Sequence, residues 1–238
     1  GRTIYLNAVI TDYHRWRLKP PEGGELRKLM AAAFALAGVK PQYEVTRVGK
    51  GDSYGVELHP YLAGDLRMLA LHRNYQLRVG ELGPPIYRKQ DALAGDMRVK
   101  VALGSRMAVY NQRTGKYLGK SGSVTVKLAT HQPTILALLP EPVKAMTMTA
   151  PEAASRGKLV KVKLRLDGPK LGKTHAFRVR VTGPDGKELR ELTQTLAAPG
   201  GAVTWDVALA LTDPAGTYRL YARDVATGIK AERKLKAK

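Results

Sequence analysis

The chain has no cysteine, few acidic residues for its basic content, and no long apolar run. Without cysteine it can form neither disulfide bonds nor cysteine-based zinc sites, although this absence does not fix a redox compartment. No apolar stretch approaches the roughly 20 residues of a membrane-spanning helix, so the sequence predicts no membrane insertion. At 238 residues and 44% hydrophobic, it is long enough for one large or two small domains with a folded core.

The shortage of acidic residues leaves a formal net charge of +20, from 40 basic against 20 acidic residues. An excess of this size favours an anionic partner such as nucleic acid, an anionic glycan or a membrane surface. The basic residues are spread mostly singly from Arg2 to Lys238, with no run of five. A solvated basic surface explains that distribution equally well, so both interpretations stay open.

The residue sets that carry common enzymatic chemistry are also missing. None of the histidines lies three or four residues from another, which excludes a helical metal-binding pair. There is no Gly-x-Ser-x-Gly motif, and Gly119-Lys120-Ser121 has Thr114 where a phosphate-binding loop needs its first glycine. The acidic residues fall mainly in predicted turns rather than as a hydrolytic pair. We therefore predict no catalytic, metal-binding or cofactor-binding residues and no enzymatic activity in this chain.

Hydrophobic periodicity predicts one helix and several strands in the first part of the chain. Apolar residues three and four apart predict a helix with one buried stripe at 25–37, ended by Gly38 and Pro41. Predicted turns at 111–115 and 120–122 separate short strands, in an antiparallel pattern. The predicted strands are residues 4–10, 43–48, 54–58, 66–72, 97–103, 107–110, 117–118, 124–128 and 135–139.

Pro140 and Pro142 predict an extended linker, which divides the chain into domains at 1–143 and 144–238. The second part contains seven short alternating segments with turn signals between them, the pattern of an Ig-like sandwich without its disulfide. The predicted fold class is mainly β: an antiparallel β-sandwich with one N-terminal helix left from an α/β layer, followed by a seven-stranded Ig-like sandwich. The seven segments are residues 145–149, 159–167, 175–182, 188–196, 202–209, 216–224 and 229–235.

Short motifs in both parts resemble known protein families. Residues 2–7 with 37–41 resemble the last strand and helix of the amidotransferase-like trimerisation domain of β-galactosidase-type glycoside hydrolases. Residues 109–119 with 135–140 resemble the small β-sandwich that closes those proteins. Beyond residue 145, the stretches 213–218 and 224–228 resemble closing strands of macroglobulin-type or Ig-like bacterial surface modules.

The resemblance implies a non-catalytic accessory or structural module of a carbohydrate-active protein, secreted, periplasmic or at the bacterial cell surface. The abrupt start in a predicted strand after Gly1 gives the further expectation that its partners include missing upstream domains of the same polypeptide. Carbohydrate is a second expected partner, and the oligomeric state is left open. The catalytic carboxylates of the family belong to an upstream barrel and match no position here, so the activity of the full-length parent also stays open.

Two groups of residues are candidates for ligand binding. Tyr13 and Trp16, close to Arg15 and Arg17, have the composition of a sugar-stacking platform, or equally of an inter-domain seam. The second group comprises basic residues that alternate with apolar ones in two predicted strands: Lys161, Lys163, Arg165, Arg178 and Arg180.

Because strand side chains alternate between faces, the basic residues of this second group are predicted to point outward. If the two strands were neighbours, the five cations would share one sheet face. Lys230, Lys234 and Lys236 also share one parity near the C-terminus. The alternative function is therefore a polyanion-binding module for anionic glycan or nucleic acid, and charge that protects sheet edges is the competing explanation.

Overall fold

The computed structural model describes residues 3, 5, 22–50, 53, 55–73, 97–129 and 132–238. Within these residues the chain is mainly β, with antiparallel sheets and one α-helix, which confirms the predicted fold class. The elements in chain order are α1 (Glu22–Leu36), β1 (Glu44–Arg47), β2 (Val56–Ala63), β3 (Leu66–Arg73), β4 (Met97–Asn111), β5 (Lys116–Leu128), β6 (Thr134–Leu139), β7 (Ala145–Thr149), β8 (Ala153–Ala154), β9 (Leu159–Asp167), β10 (Ala176–Thr182), β11 (Glu188–Ala197), a 3₁₀ turn (Pro199–Gly201), β12 (Ala202–Ala208), β13 (Gly216–Asp224) and β14 (Lys230–Ala237).

The strands form three sheets. The first has the order β1-β4-β6-β3-β2, with β5 also paired to β4. The second is five-stranded, β11-β10-β13-β14-β8, and the third is three-stranded, β12-β9-β7. Strands β1 and β6 pair antiparallel with β4, and the strands of the second and third sheets pair antiparallel with their neighbours, except that β14 is parallel to the two-residue strand β8. Each of the seven strand segments predicted beyond residue 144 is a strand in the structure.

Backbone contacts divide the chain into two compact units that alternate along the sequence. The described residues of 1–58, 71–104 and 123–133 belong to the first unit, and those of 59–70, 105–122 and 134–238 to the second. The predicted division at 143/144 is sequential, whereas these units interleave. That boundary between independently folding parts stays a prediction.

The first unit contains α1, β1, and parts of β2, β3, β4 and β5. Strand β1 pairs with the first part of β4, and alternate residues of β4 are buried, from Met97 to Leu103. None of the described side chains of α1 is buried, and Leu29 and Phe34 are 43% and 53% exposed. The predicted buried stripe on this helix is therefore wrong. The apolar spacing of three and four residues is present, but the described apolar side chains are not buried in a core.

Two strands are longer than their sequence pattern predicts. Strand β4 runs from 97 to 111 without a break, although the pattern gave two separate segments. Strand β5 runs through 120–122, where a turn was expected, and within it Lys120 forms an ion pair of 2.5 Å with Glu141. The turn predicted at 120–122 is wrong because a glycine and a serine are tolerated in a strand that is paired to a neighbour, here β4. The turn at 111–115 is present.

The core of the second unit lies between the five-stranded and three-stranded sheets. Strand β9 contributes four buried residues at alternate positions, and Phe177, Trp205 and Tyr218 fill the space with large rings. Buried residues that precede residue 144, including Tyr110 and Leu139, belong to the same cluster. The Tyr110 hydroxyl accepts a hydrogen bond from the Val143 amide (2.9 Å), and burial raises the pKa of this phenol.

The end of β13 that follows the 213–216 turn is closed by a tyrosine corner. The Tyr218 hydroxyl donates a hydrogen bond of 2.8 Å to the Pro214 carbonyl, four residues upstream. Antiparallel sandwiches of the Ig type carry this arrangement at the entry to a central strand. The Asp-Pro-Ala-Gly-Thr-Tyr motif thus forms the turn that leads into β13.

Candidate functional site

The outer surface of the five-stranded sheet is built from three strands that alternate apolar and basic residues. In β10 and β13 one parity faces the core, as for Val179 and Leu220, and in β14 Leu235 and Ala237 do so. The other parity points away from the core because successive strand residues face opposite sides of a sheet. The basic residues at these outward positions therefore reach the same outer surface, whereas Arg233 of β14 lies at the opposite parity, beside Leu220.

The strand register brings these residues side by side. Arg178 is opposite Arg223, which is opposite Lys230, and Arg219 is opposite Lys234. Two carboxylates, Glu188 and Glu232, occupy paired positions on the same surface. We call this surface the basic face and define it by its six exposed cations: Arg178, Arg180, Arg219, Lys230, Lys234 and Lys236.

Local contacts hold part of the basic face in place. The Arg180 guanidinium lies 4.3 Å from the centroid of the Tyr221 ring and 3.7 Å from a Glu188 carboxylate oxygen. Arg178 donates a hydrogen bond of 3.3 Å to the Thr195 hydroxyl. Stacking on an aromatic ring restrains a guanidinium without neutralising it, so Arg180 keeps its charge at a defined position.

A shallow depression of about 430 Å³ lies at one end of the basic face. Arg219 and Lys234 line it together with the hydroxyl-bearing Thr182 and Thr217 and the 183–186 turn. Two cations and two hydroxyl groups are hydrogen-bond donors suited to a sulfate or carboxylate group.

The structure separates the five basic residues that the sequence grouped together. Arg178 and Arg180 lie on the basic face, but Lys161, Lys163 and Arg165 lie on β9, which pairs with β12 and β7 in the other sheet. The expectation that all five share one face is therefore wrong. Consecutive strands of a sandwich often belong to different sheets, and alternation within a strand carries no information about its neighbours.

The outer side of β9 has less excess charge than the basic face. Two carboxylates accompany its three cations. Asp167 is the last residue of β9, and Asp206 on β12 is directly opposite Lys161. On the basic face six cations accompany two carboxylates. The five-stranded sheet is thus the stronger candidate for an anion site.

The sequence pattern did not identify Arg219 and Tyr221 as members of the site, and it did not connect the three lysines of β14 with the arginines of β10. Arg219 and Tyr221 alternate with the buried Tyr218 and Leu220, so the pattern that identified the β10 arginines was also present in β13. The shared parity of the three lysines in β14 was visible, but their position beside β10 and β13 was not. The candidate sugar-stacking pair, Tyr13 and Trp16, lies outside the described residues.

A buried ionisable pair lies under the same sheet. His175 and Asp224 have fully buried side chains, with Nδ1 of the imidazole 3.1 Å from a carboxylate oxygen. The imidazole Nε2 is 2.6 Å from the Leu171 carbonyl, so both ring nitrogens face acceptors. Only the doubly protonated ring donates to both. The second carboxylate oxygen accepts hydrogen bonds from the Thr227 amide and hydroxyl at 2.9 and 2.6 Å.

The charge of this pair is stabilised by its surroundings. Burial acts to lower the pKa of His175, but the hydrogen bond and charge of Asp224, with the Leu171 carbonyl, outweigh it and raise the pKa above its ordinary value. A buried charge persists only when it is paired and hydrogen-bonded. The pair has no exposed surface for a substrate, which gives it a structural role in the sandwich.

The described residues include neither a cluster of metal ligands nor a membrane-spanning helix. In this part of the chain no group of three or more His, Cys, Asp or Glu side chains is placed to hold a metal ion. No described helix combines the length and apolar character needed to cross a membrane.

Comparisons with known proteins add little to this geometry. No family model matches the chain, and no curated protein matches it. A superoxide reductase (neelaredoxin) from Ignicoccus hospitalis is similar over 40% of this chain and 82% of its own, with 16% identity and a TM-score of 0.31. A likeness of this size carries no argument, and the resemblance to β-galactosidase-type proteins stays a prediction.

Proposed function

We propose that this chain is a non-catalytic binding module that holds an anionic glycan on its basic face. The observation that carries the proposal is the register of β10, β13 and β14, which gathers six exposed cations and two carboxylates on one sheet surface. Neighbouring strands are about 4.8 Å apart, and same-side residues of a strand about 7 Å apart. These spacings lie within the Debye length of about 8 Å at physiological salt, so the fields of the cations add.

The exposure of the cations favours a polymer over a small anion. An exposed ion pair contributes only about 0–1 kcal/mol, so one or two contacts give little affinity. A linear polyanion makes several such contacts at once and releases counterions, which makes its binding steeply salt-dependent. We therefore expect useful affinity for a polymer and weak affinity for free sulfate.

The aromatic content of the face favours a glycan over nucleic acid. Sheet surfaces that bind single-stranded nucleic acid stack successive bases on several aromatic rings. Tyr221 is the one aromatic ring that the described strand register places among the cations, and a guanidinium covers part of it. Spaced cations without free stacking platforms suit the sulfate and carboxylate groups of a glycan chain.

A pair of charge-reversal variants tests the proposal. Arg178→Glu, Lys230→Glu and Lys234→Glu together should lower affinity for heparin at least tenfold, since three lost contacts of about 0.5 kcal/mol each amount to about 1.5 kcal/mol, and about 1.4 kcal/mol corresponds to a factor of ten. The matched control, Lys161→Glu, Lys163→Glu and Arg165→Glu, changes the net charge equally on the opposite sheet and should retain most of the affinity. Calorimetric titration at several salt concentrations, with circular dichroism to verify folding, gives the comparison.

Three results would contradict the proposal. Equal losses in both variants would mean that the charge acts diffusely. Tighter binding to duplex or single-stranded DNA than to heparin of the same charge would assign the face to nucleic acid. No binding to heparin by the unmodified protein at low salt would remove the function altogether.

We also propose that the module serves as an accessory part of a carbohydrate-active protein outside the cell. The sequence resemblance supports this role, and a glycan-binding surface is what such a module would use to retain its parent on a polymer. The gene sequence upstream of Gly1 tests it: a barrel domain with two catalytic carboxylates is the expected result, and an immediate start codon would contradict it.

A further inference from the structure

The turn between β4 and β5 is held in one conformation by its own side chains. The Asn111 carboxamide oxygen accepts hydrogen bonds from the Arg113 and Thr114 amides at 3.1 and 3.2 Å. The Thr114 hydroxyl accepts from the Lys116 amide at 3.3 Å, and the Gly115 amide donates to the Asn111 carbonyl at 2.8 Å. Gly115 has φ +68°, which glycine adopts without strain. The exposed side chains of Arg113 and Lys116 are thus attached to a defined backbone.

This turn packs against the end of the five-stranded sheet. Arg223, a neighbour of both Arg178 and Lys230 in the register, donates a hydrogen bond of 2.7 Å from Nη2 to the Gln112 carbonyl. The backbones of Gly115 and Gly228 approach so closely that a Cβ on Gly228 would collide with the turn. Gly228 lies two residues before Lys230, so the turn lies beside the end of the basic face that Lys230 marks.

Two exposed cations therefore lie on a turn beside the end of the basic face. From Lys230 to Lys236 the face extends about 20 Å, since a strand rises about 3.3 Å per residue. Arg113 and Lys116 come from a segment more than 100 residues earlier in the chain, yet the Arg223–Gln112 hydrogen bond brings their turn to the Lys230 end. The depression lined by Arg219 and Lys234 lies toward the opposite end.

We infer that the binding surface is bipartite: the anionic glycan runs along β14 and continues onto the β4–β5 turn, where Arg113 and Lys116 bind its far end. This inference rests on the proposed function and specifies its ligand as a linear chain longer than the sheet face. Short anionic oligosaccharides occupy the sheet alone. Longer ones gain the two contacts on the turn.

The experiment compares heparin oligosaccharides that are shorter and longer than about 20 Å, the length of the sheet part of the site. For the unmodified chain, affinity should rise when the oligosaccharide exceeds that length. Arg113→Glu with Lys116→Glu should weaken the long oligosaccharide about fivefold or more and leave the short one nearly unchanged. Lys161→Glu with Lys163→Glu is the control with the same change in net charge, and it should leave the length dependence intact.

The outcomes separate this inference from the proposed function. If the unmodified chain binds neither oligosaccharide, the proposed function fails and the inference with it. If both oligosaccharides bind, the basic-face variant loses them, and the turn variant still binds the long one at full affinity, only the bipartite site is overturned. A turn variant that weakens both lengths equally would also overturn it, because the turn would then act on the overall field.

Discussion

His175 and Asp224 show at the scale of single residues how the sandwich accommodates a buried charge. The pair joins the start of β10 to the end of β13, and through Leu171 and Thr227 it holds the two adjoining loops. The two residues are 49 positions apart in the sequence, and their types are common. No spacing rule would have connected them, so only the folded structure gives this network.

The pair makes stability depend on pH in a defined direction. Because the folded-state pKa of His175 is raised above the unfolded value of 6.5, its contribution is complete below that value and is lost as pH rises through the folded pKa. We expect Asp224→Asn to lower the free energy of unfolding by about 3–5 kcal/mol below pH 6.5, the cost of breaking a buried pair. It should also remove the decline of stability with rising pH that His175 causes.

Urea unfolding between about pH 5 and pH 9 measures both effects. Asp185→Asn is the control, since Asp185 and its partner Lys187 are largely exposed and 3.7 Å apart. That change should alter stability by no more than about 0.5 kcal/mol. A pH profile of Asp224→Asn parallel to that of the unmodified chain would show that His175 does not titrate in this range.

At the scale of elements, strand pairing and packing determine the strand lengths, the exposure of the helix and the contact between turns, which local sequence patterns did not predict. Strands β4 and β5 pass through residues that resembled strand ends, because pairing between strands outweighs a local preference for turns. The helix α1 has the predicted periodicity, but its described side chains remain at least partly exposed. The close approach of the 111–115 turn to the β13–β14 turn is also an element-level contact, and it depends on two glycines.

Substitution of Gly228 tests this contact. Gly228 has φ +77°, and a Cβ there would meet the Gly115 backbone, which cannot move without displacing the turn. We expect Gly228→Ala to destabilise the chain by more than about 3 kcal/mol, the upper end of the cost of backbone strain alone. Gly186→Ala is the matched control, since Gly186 has φ +82° and nothing within 4 Å.

The control should cost about 1 kcal/mol from conformational strain. Thermal unfolding of the two variants gives the difference. Equal costs would mean that the two turns are not in contact in solution, and that result would also weaken the bipartite binding surface. A larger cost for Gly228→Ala supports the contact independently of any ligand.

At the scale of the whole molecule, one core includes residues from both sides of the predicted boundary. Tyr110 and Leu139 are buried in the same cluster as the large rings of the sandwich, and Asp65 accepts hydrogen bonds from the Lys173 and Thr174 amides at 2.6 and 3.0 Å. These bonds lower the pKa of Asp65. The sequence pattern predicted instead that 144–238 forms a domain of its own.

Expression of residues 144–238 alone decides between these two expectations. Because the core is shared, we expect the free energy of unfolding of the fragment to be at least about 3 kcal/mol lower than that of the same region in the full chain. Removal of one large buried side chain from a core costs about 2–5 kcal/mol. Chemical unfolding of both proteins, followed by Trp205 fluorescence, measures the difference. Equal stability would instead support an independent domain that begins near residue 144.

The amino-acid sequence by itself determined the seven strands β7 and β9–β14 beyond residue 144 and the outward direction of their basic residues. Both follow from the alternation of apolar and polar residues, which is a local property of an extended backbone. Arg178 and Arg180 were recognised as outward-facing for this reason, and the same rule applied to the lysines of β14.

The tertiary structure alone decided which strands are neighbours, and therefore which cations act together. Strand β9 belongs to the three-stranded sheet, so Lys161, Lys163 and Arg165 are not part of the basic face. Arg219 and the β14 lysines lie on the same sheet as Arg178 and Arg180. Neighbour choice depends on how two sheets bury a common core, a non-local balance that no short segment contains. The sequence thus determines which side of each strand carries the basic residues, and the packing of the sandwich places three of these sides on one surface.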